Sequence, residues 1–278
     1  VGSHFTIRPF DSIDEFEECV RFQEETWGKG FSERVAVAIL KVSQRLGGIA
    51  AGAYDAEGAL AGFVFGMTGV QEGEIVHWSD MLAVRPDLQN AGLGTRLKAY
   101  QRDELLSRGV TRMRWTFDPL EAKNAHLNLN KLGAVAREYV RDMYGRTDSP
   151  LHRGIGTDRF VPTWAMDSPR VRERCVEGRL GPDPGADKAA KRTFAVQEEG
   201  GLDLPGEPDL AIDADRLLVP IPASIQAVRD ASLEAAQRWR TATRSVLSTY
   251  LERGFEAREF YRREGWGEYL LVPRERLT

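Results

Sequence analysis

The sequence predicts an α/β protein of the α+β kind, a mixed sheet with helices on both faces followed by a smaller C-terminal α/β domain. Three observations carry that prediction. Segments of strand period and helix period follow one another in the order β-α-α-β-β-β-α-β-α-β-β as far as Met166. Helical segments end repeatedly on a glycine, at Gly47, Gly109, Gly133 and Gly254, where a left-handed residue closes the last turn cheaply. After Ser168 the texture turns rich in Gly, Pro, Asp and Ala before a second run of strand, long helix and two strands.

Taken in order, residues 5–10 read as a first strand. Asp11 and Ser12 then offer an N-cap to a helix whose apolar positions Ile13, Phe16, Val20 and Trp27 share one stripe, with Cys19 beside them. A second helix is expected over 32–46. Strands over 49–54 and 60–68 are joined by a turn in which Gly58 takes the positive φ. A third strand covers 75–84 and stops at Arg85-Pro86, and a helix over 93–108 is followed by a strand over 112–117. A short helix over 121–132 precedes strands over 135–144 and 160–166. Beyond these come a polar helix (169–178), a linker (180–191), a short strand (193–197) and an acidic loop (203–213). The chain closes with a strand (217–221), a helix (224–253) and strands near 256–261 and 268–272. The expected domains are therefore 5–168, a helix and linker over 169–213, and 214–278.

Composition bounds the function. Of 278 residues, 42% are hydrophobic and 29% charged, the balance of a folded chain rather than a disordered one. A net charge of −4 argues against nucleic acid as a partner, because phosphate backbones demand a basic face. No apolar run approaches the roughly 20 residues that span a bilayer, and no charged-then-apolar leader opens the chain, so no membrane partner is expected. Cys19 and Cys175 lie far apart with no ligand spacing, so no metal is expected, and buried free thiols suit a reducing, cytoplasmic compartment. Nothing indicates an oligomeric state.

The segment that carries chemistry runs Leu82-Ala-Val-Arg-Pro-Asp-Leu-Gln89-Asn-Ala-Gly92-Leu-Gly94-Thr-Arg-Leu. It is a strand, a short loop and a helix with a glycine-rich first turn. Gly92 and Gly94 remove the Cβ atoms that would hold a ligand off the backbone. Free N–H groups and the positive end of the helix dipole then make an anion site suited to a pyrophosphate. The Rossmann G-x-G-x-x-G and the P-loop G-x-x-x-x-G-K-[ST] are both absent.

This Q-x-x-G-x-G segment resembles motif A of the GNAT (GCN5-related N-acetyltransferase) superfamily, and the elements from about Phe5 to Met166 follow that fold. The resemblance implies an acyl-CoA co-substrate whose pyrophosphate is bound by backbone N–H groups of Gln89, Asn90, Ala91, Gly92, Leu93, Gly94 and Thr95. It implies that the preceding strand splays from its neighbour and pairs its free edge, including Leu82, Ala83 and Val84, with the pantetheine arm. An N–H there would polarise the thioester carbonyl. The segment Trp115-Thr-Phe-Asp-Pro119 and the helix from Asn124 to Gly133 resemble motif B, with Asn124 as a polar partner for the far side of the cofactor.

Family bases are carboxylates or waters on the strand before motif A. Period-2 alternation places Trp78, Asp80, Leu82 and Val84 on one face and His77 and Ser79 on the other. Asp80 is the first candidate for the base, with His77 and Glu74 as further options. The family's acid is a tyrosine near the end of the motif B helix; here that slot holds Leu129, leaving Tyr139, Tyr144 or water to protonate the thiolate. Arg240 and Arg244, four apart on one helix, read either as a solvated charged face or, with Arg159, as a clamp for a carboxylate of acceptor or acyl group. The expected activity is direct transfer of acetyl, or a longer acyl group such as succinyl, to a small primary amine such as an amino acid. A non-catalytic acyl-CoA sensor or scaffold and a protein acetyltransferase are the alternatives.

Overall fold

The alternation of periods becomes a mixed α/β structure in the computed structural model of the chain, which describes residues 5–89, 91–145, 154–181 and 189–275. It divides into two compact units, Val1–Trp115 and Thr116–Thr278.

In the first unit β1 (Thr6–Pro9), β2 (Ile49–Tyr54), β3 (Leu60–Gln71), β4 (Glu74–Val84) and β5 (Arg112–Arg114) lie side by side in chain order. Neighbours run antiparallel up to β4, and β5 runs parallel to β4. Helix α1 (Ile13–Trp27) starts where expected. Ser12 Oγ accepts from the Glu15 N–H at 3.3 Å, and the Glu15 carboxylate accepts from the N–H groups of Asp11 and Ser12, a capping box. Phe16, Cys19 and Phe22 of α1 pack with Leu40, Phe63, Phe65, Met81 and Ala83 in one core. Burial pushes the Cys19 thiol up to about 12. Ile13, expected on the buried stripe, is half exposed.

Helix α2 (Val37–Arg45) starts five residues later than expected, and the reason is a buried amide. The Gln23 side chain accepts from Val35 N and donates to Val35 O, holding the chain before α2 out of helical geometry. Helix α3 (Leu93–Ser107) buries Leu93, Leu97, Lys98, Gln101 and Leu105.

In the second unit the sheet order is β7 (Arg159–Ala165), β6 (Val135–Val140), β12 (Phe255–Arg262), β13 (Trp266–Pro273), β11 (Leu217–Pro222) and β8 (Lys191–Arg192). A separate hairpin joins β9 (Val196–Glu199), near the expected short strand, to β10 (Leu202–Pro205), which takes up the start of the expected acidic loop. Helix α4 (Ala122–Ala125) continues as a π-helical turn, His126–Lys131, in which Leu132 N donates to Leu127 O. Helix α5 (Pro169–Val171) continues likewise over Arg172–Val176. The long C-terminal helix is two, α6 (Ile225–Ala231) and α7 (Leu233–Glu252). Ser232 is extended (φ −157°) and its hydroxyl caps Ala235 N. The core of this unit joins Trp239, Val246, Leu247 and Tyr250 of α7 to Phe160, Val219 and Tyr269. Ala136 of β6 pairs with Ala257 of β12, and Ala136 and Phe160 share this core with α7. β6 and β7 lie in the unit that begins at Thr116.

Candidate active site

Strand β4 carries the site, and one irregularity sets its geometry. Met81 pairs with Phe65 of β3, but Ser79 pairs with Gly66, so Asp80 is an extra residue in the ladder, a β-bulge. The bulge reverses the side-chain alternation. His77 and Ser79 face Gln101 of α3, whereas Met81 and Ala83 belong to the core beneath α1. Leu82 and Val84 are thereby turned toward the first turn of α3. This corrects the expectation that Trp78, Asp80, Leu82 and Val84 share one face.

The other edge of β4 is open over half its length. Val76, His77 and Trp78 pair with Arg112, Met113 and Arg114 of β5, and no strand pairs with that edge over residues 79–84 among the described residues. The two strands therefore splay just beyond Trp78, at the bulge. Leu82, Ala83 and Val84 lie along the open edge. Gln89 closes the strand's end by donating from Nε2 to Val84 O at 3.3 Å.

The loop then delivers the chain to α3. Gly92 is its N-cap, left-handed at φ +85°, and no side chain among the described residues caps the helix. The first turn's N–H groups, at Leu93, Gly94 and Thr95, have no intrahelical acceptor; the first such bond is Arg96 N to Gly92 O. Gly94 is more telling. Its backbone is ordinary for a helix, and a methyl placed there would meet only Leu82 Cδ2 at 3.6 Å and Val84 Cγ2 at 3.9 Å, ordinary contacts. The fold itself does not require glycine at 94, so its bareness leaves room against the backbone of an uncapped helix end. Ala91 is exposed beside it. Asn90 lies outside the described residues.

Of the candidate bases, Asp80 stands at the bulge in an exposed position. Desolvation nonetheless raises its carboxyl above the ordinary value, against a hydrogen bond with Trp78 that lowers it. His77 is fully buried and hydrogen-bonded through both ring nitrogens, Nδ1 to Thr68 Oγ1 (3.0 Å) and Nε2 to Gln101 Nε2 (2.9 Å). Burial, with Lys98 and Arg108 nearby, pulls it down to about 3. It is a neutral wall residue rather than a base. Glu74 is exposed at the hairpin turn, six residues from Asp80.

The second unit engages its candidates among themselves. Tyr144 Oη is 2.8 Å from Thr116 Oγ1, and the Arg159 guanidinium lies 5.2 Å from the Tyr144 ring centre. Arg240, buried, donates to Asp118 Oδ2 at 2.7 Å and to Ile155 O, and Arg159 lies 3.8 Å from the same carboxylate. Arg244 grips Asp158 through two bonds of 2.7 and 2.6 Å. Burial raises the Asp158 carboxyl, but Arg244, the Tyr139 hydroxyl and Asp142 N–H outweigh it and hold the pKa below its usual value. Arg240 and Arg244 are thus neither a solvated face nor a free clamp. Their carboxylates come from this chain, 122 and 86 residues away. Tyr139 is spent on Asp158. Leu129, in the acid's slot, is fully buried in the core, and Asn124 is exposed on α4.

Sequence reasoning missed Lys98, Ser79 and Gln101, which form a buried polar group behind the bulge. The signal was available: Lys98 and Gln101 interrupt the apolar stripe of Leu93, Leu97 and Leu105. Cavities of about 310 Å³ (Gln44, Gly48, Tyr100, Arg108) and about 560 Å³ (Gln197, Pro205, Arg238, Thr241) are lined by none of Asp80, residues 82–84 or the first turn of α3.

No protein-family model matches the chain, and no curated protein does. Solved structures do. An acetyltransferase of the GNAT family from Streptococcus pneumoniae is 20% identical, covering 58% of this chain and 98% of its own with a TM-score of 0.47. The ribosomal-protein-S18-alanine N-acetyltransferase of Escherichia coli is 20% identical over 59% of this chain and 96% of its own (TM-score 0.46). The Salmonella typhimurium protein yncA, solved with its cofactor acetyl-CoA, is 18% identical over 66% and 99% (TM-score 0.47).

Proposed function

We propose that the protein is an acyl-CoA-dependent N-acyltransferase that moves an acetyl or longer acyl group directly to a small primary amine. The observation that carries this reading is the pairing of two backbone features on adjoining elements. An uncapped helix N-terminus with an unforced glycine offers N–H groups to a pyrophosphate. The open edge of β4 beside it offers N–H and C=O groups to an amide-bearing arm, as an added strand would use them. A ligand with both features in sequence, a diphosphate and then two amides ending in a thioester, is an acyl-CoA.

In this reading the α3 N–H groups and Gly94 hold the diphosphate, and residues 82–84 align the arm. The unpaired backbone at the bulge is placed to receive the thioester oxygen. Asp80 takes the proton that the amine loses on attacking the carbonyl carbon, a task for which a raised carboxylate pKa suits it. The thiolate leaves with the bonding electrons and is protonated by water. The engagement of Arg159, Arg240 and Arg244 by the chain's own carboxylates removes the support for a carboxylate clamp, so a dicarboxylic acyl group gains nothing from them.

The test is thiol release from acetyl-CoA over a panel of amines. We expect turnover by the wild type and a fall of about 100-fold or more in kcat for Asp80→Asn, the range of general-base contributions. Acetyl-CoA binding with no turnover on any amine would leave the sensor reading in its place.

A further inference from the structure

Behind the bulge sits a buried cation that the proposed chemistry has not used. Lys98 is 7% exposed. Its Nζ donates to Ser79 Oγ at 2.6 Å, lies 3.4 Å from Gln101 Oε1 and 3.9 Å from Met113 Sδ, and stands 4.4 Å from the centre of the Trp115 ring. No carboxylate among the described residues pairs with it. A methionine would fill the same space without the cost of desolvating a charge, so packing alone does not account for a lysine.

Its position is specific. Trp78 and Arg114 are the last paired residues of β4 and β5. Ser79 and Trp115 are the next on each chain, and Lys98 touches both. The ammonium therefore spans the apex of the splay on the α3 side. Ser79 is held in turn by a directed chain: Ser79 Oγ donates to Gln101 Oε1 (3.0 Å), Gln101 Nε2 to His77 Nε2, His77 Nδ1 to Thr68 Oγ1, and Thr68 Oγ1 to Gly47 O (3.0 Å). Gly66 leaves room for that ring, since a methyl there would meet His77 Nε2 at 2.3 Å.

We propose that Lys98 is a positioning residue for acyl transfer, its ammonium acting through Ser79 to fix the bulge and to place positive charge behind the sulfur that leaves the thioester. This rests on the acyltransferase reading. In the step, the amine nitrogen bonds to the carbonyl carbon and the carbon–sulfur bond breaks with its pair on sulfur. The amine's proton goes to Asp80, and Lys98 keeps its own protons throughout. The charge thus takes up part of the burden left by Leu129 in the acid's slot.

Lys98 is the group whose charge changes near neutrality. Burial pulls it down to about 7. Among the groups around it, His77 on β4 stays neutral above about 3, and Arg108, the C-cap of α3, is bound to Glu104 and the Gly47 and Gly48 carbonyls. Arg112 and Arg114 on β5 alternate away from Met113, and Asp80, beyond Ser79, makes no ion pair with Lys98.

The test uses the full chain, acetyl-CoA and hydroxylamine, an acceptor already neutral at pH 7. The wild-type kcat is expected to fall as pH rises through about 7. Lys98→Met folds, lacks that fall and has a kcat at least ~10-fold lower at acid pH, with an unchanged KM for acetyl-CoA, since one charge-assisted stabiliser is lost. Lys98→Arg keeps the activity without the fall, and Ser79→Ala, which cuts the link, reproduces the methionine profile. A Lys98→Met enzyme with wild-type kcat and pH profile overturns this inference alone. A wild type that neither binds acetyl-CoA nor releases thiol overturns the acyltransferase reading, and this inference with it.

Discussion

At the scale of single residues, three positions separate function from stability. Gly94 has helical geometry and room for a methyl, so Gly94→Ala should raise the melting temperature slightly, by up to ~1 kcal/mol of helix propensity, while weakening acetyl-CoA binding. Paired melting and binding curves check this, and unchanged binding would show the bare backbone to be without purpose. Asp80 has a raised pKa in the folded state, so its ionisation works against folding as pH rises through the carboxylate range. Asp80→Asn should therefore leave the melting temperature at pH 7 unchanged or higher, even as turnover collapses. Lys98 gives the opposite window. Its pKa is lowered to about 7 from 10.5, so below pH 7 both states carry the proton and the penalty of burying it is fully present. Between pH 7 and 10.5 the unfolded chain binds the extra proton, and native stability rises with pH. Lys98→Met removes the penalty, ~1.4 kcal/mol for each pH unit by which burial lowers the ammonium's pKa. It should accordingly raise the melting temperature more at pH 6 than at pH 10, and an equal rise at both would show that Lys98 is not the titrating group.

At the scale of elements, what was legible in the sequence is what is local. The Ser12 N-cap of α1 and the glycine-rich opening of α3 are short-range devices, and both stand where the sequence places them. Ser12→Ala should cost about 1 kcal/mol, read from denaturant unfolding. The bulge was not legible, because register is a property of two strands: Asp80 is extra only against the residues that β3 presents. Strand period alone therefore assigned the wrong face to half of β4. The break at Ser232 was legible in principle, since a serine three residues before Ala235 caps α7 just as Ser224 caps α6. The start of α2 was not, because it depends on Gln23, twelve residues upstream of the Val35 backbone that it holds.

At the scale of the molecule, the misreadings were of long-range pairing. Arg240 and Arg244 read as a free face because nothing within a helix reveals carboxylates at Asp118 and Asp158. Likewise nothing within β6 reveals that Ala136 pairs with Ala257 of β12. The mixed α/β class survived these errors because it depends on the order of elements rather than on their partners. The central claim, that the α3 N-terminus and the open edge of β4 bind an acyl-CoA, is tested most directly by thermal melting of the wild-type protein with acetyl-CoA. If the site binds, ligand at 100 times its dissociation constant adds about 2.7 kcal/mol, and the melting temperature climbs with the logarithm of concentration. A melting temperature that stays fixed across millimolar acetyl-CoA would contradict the account.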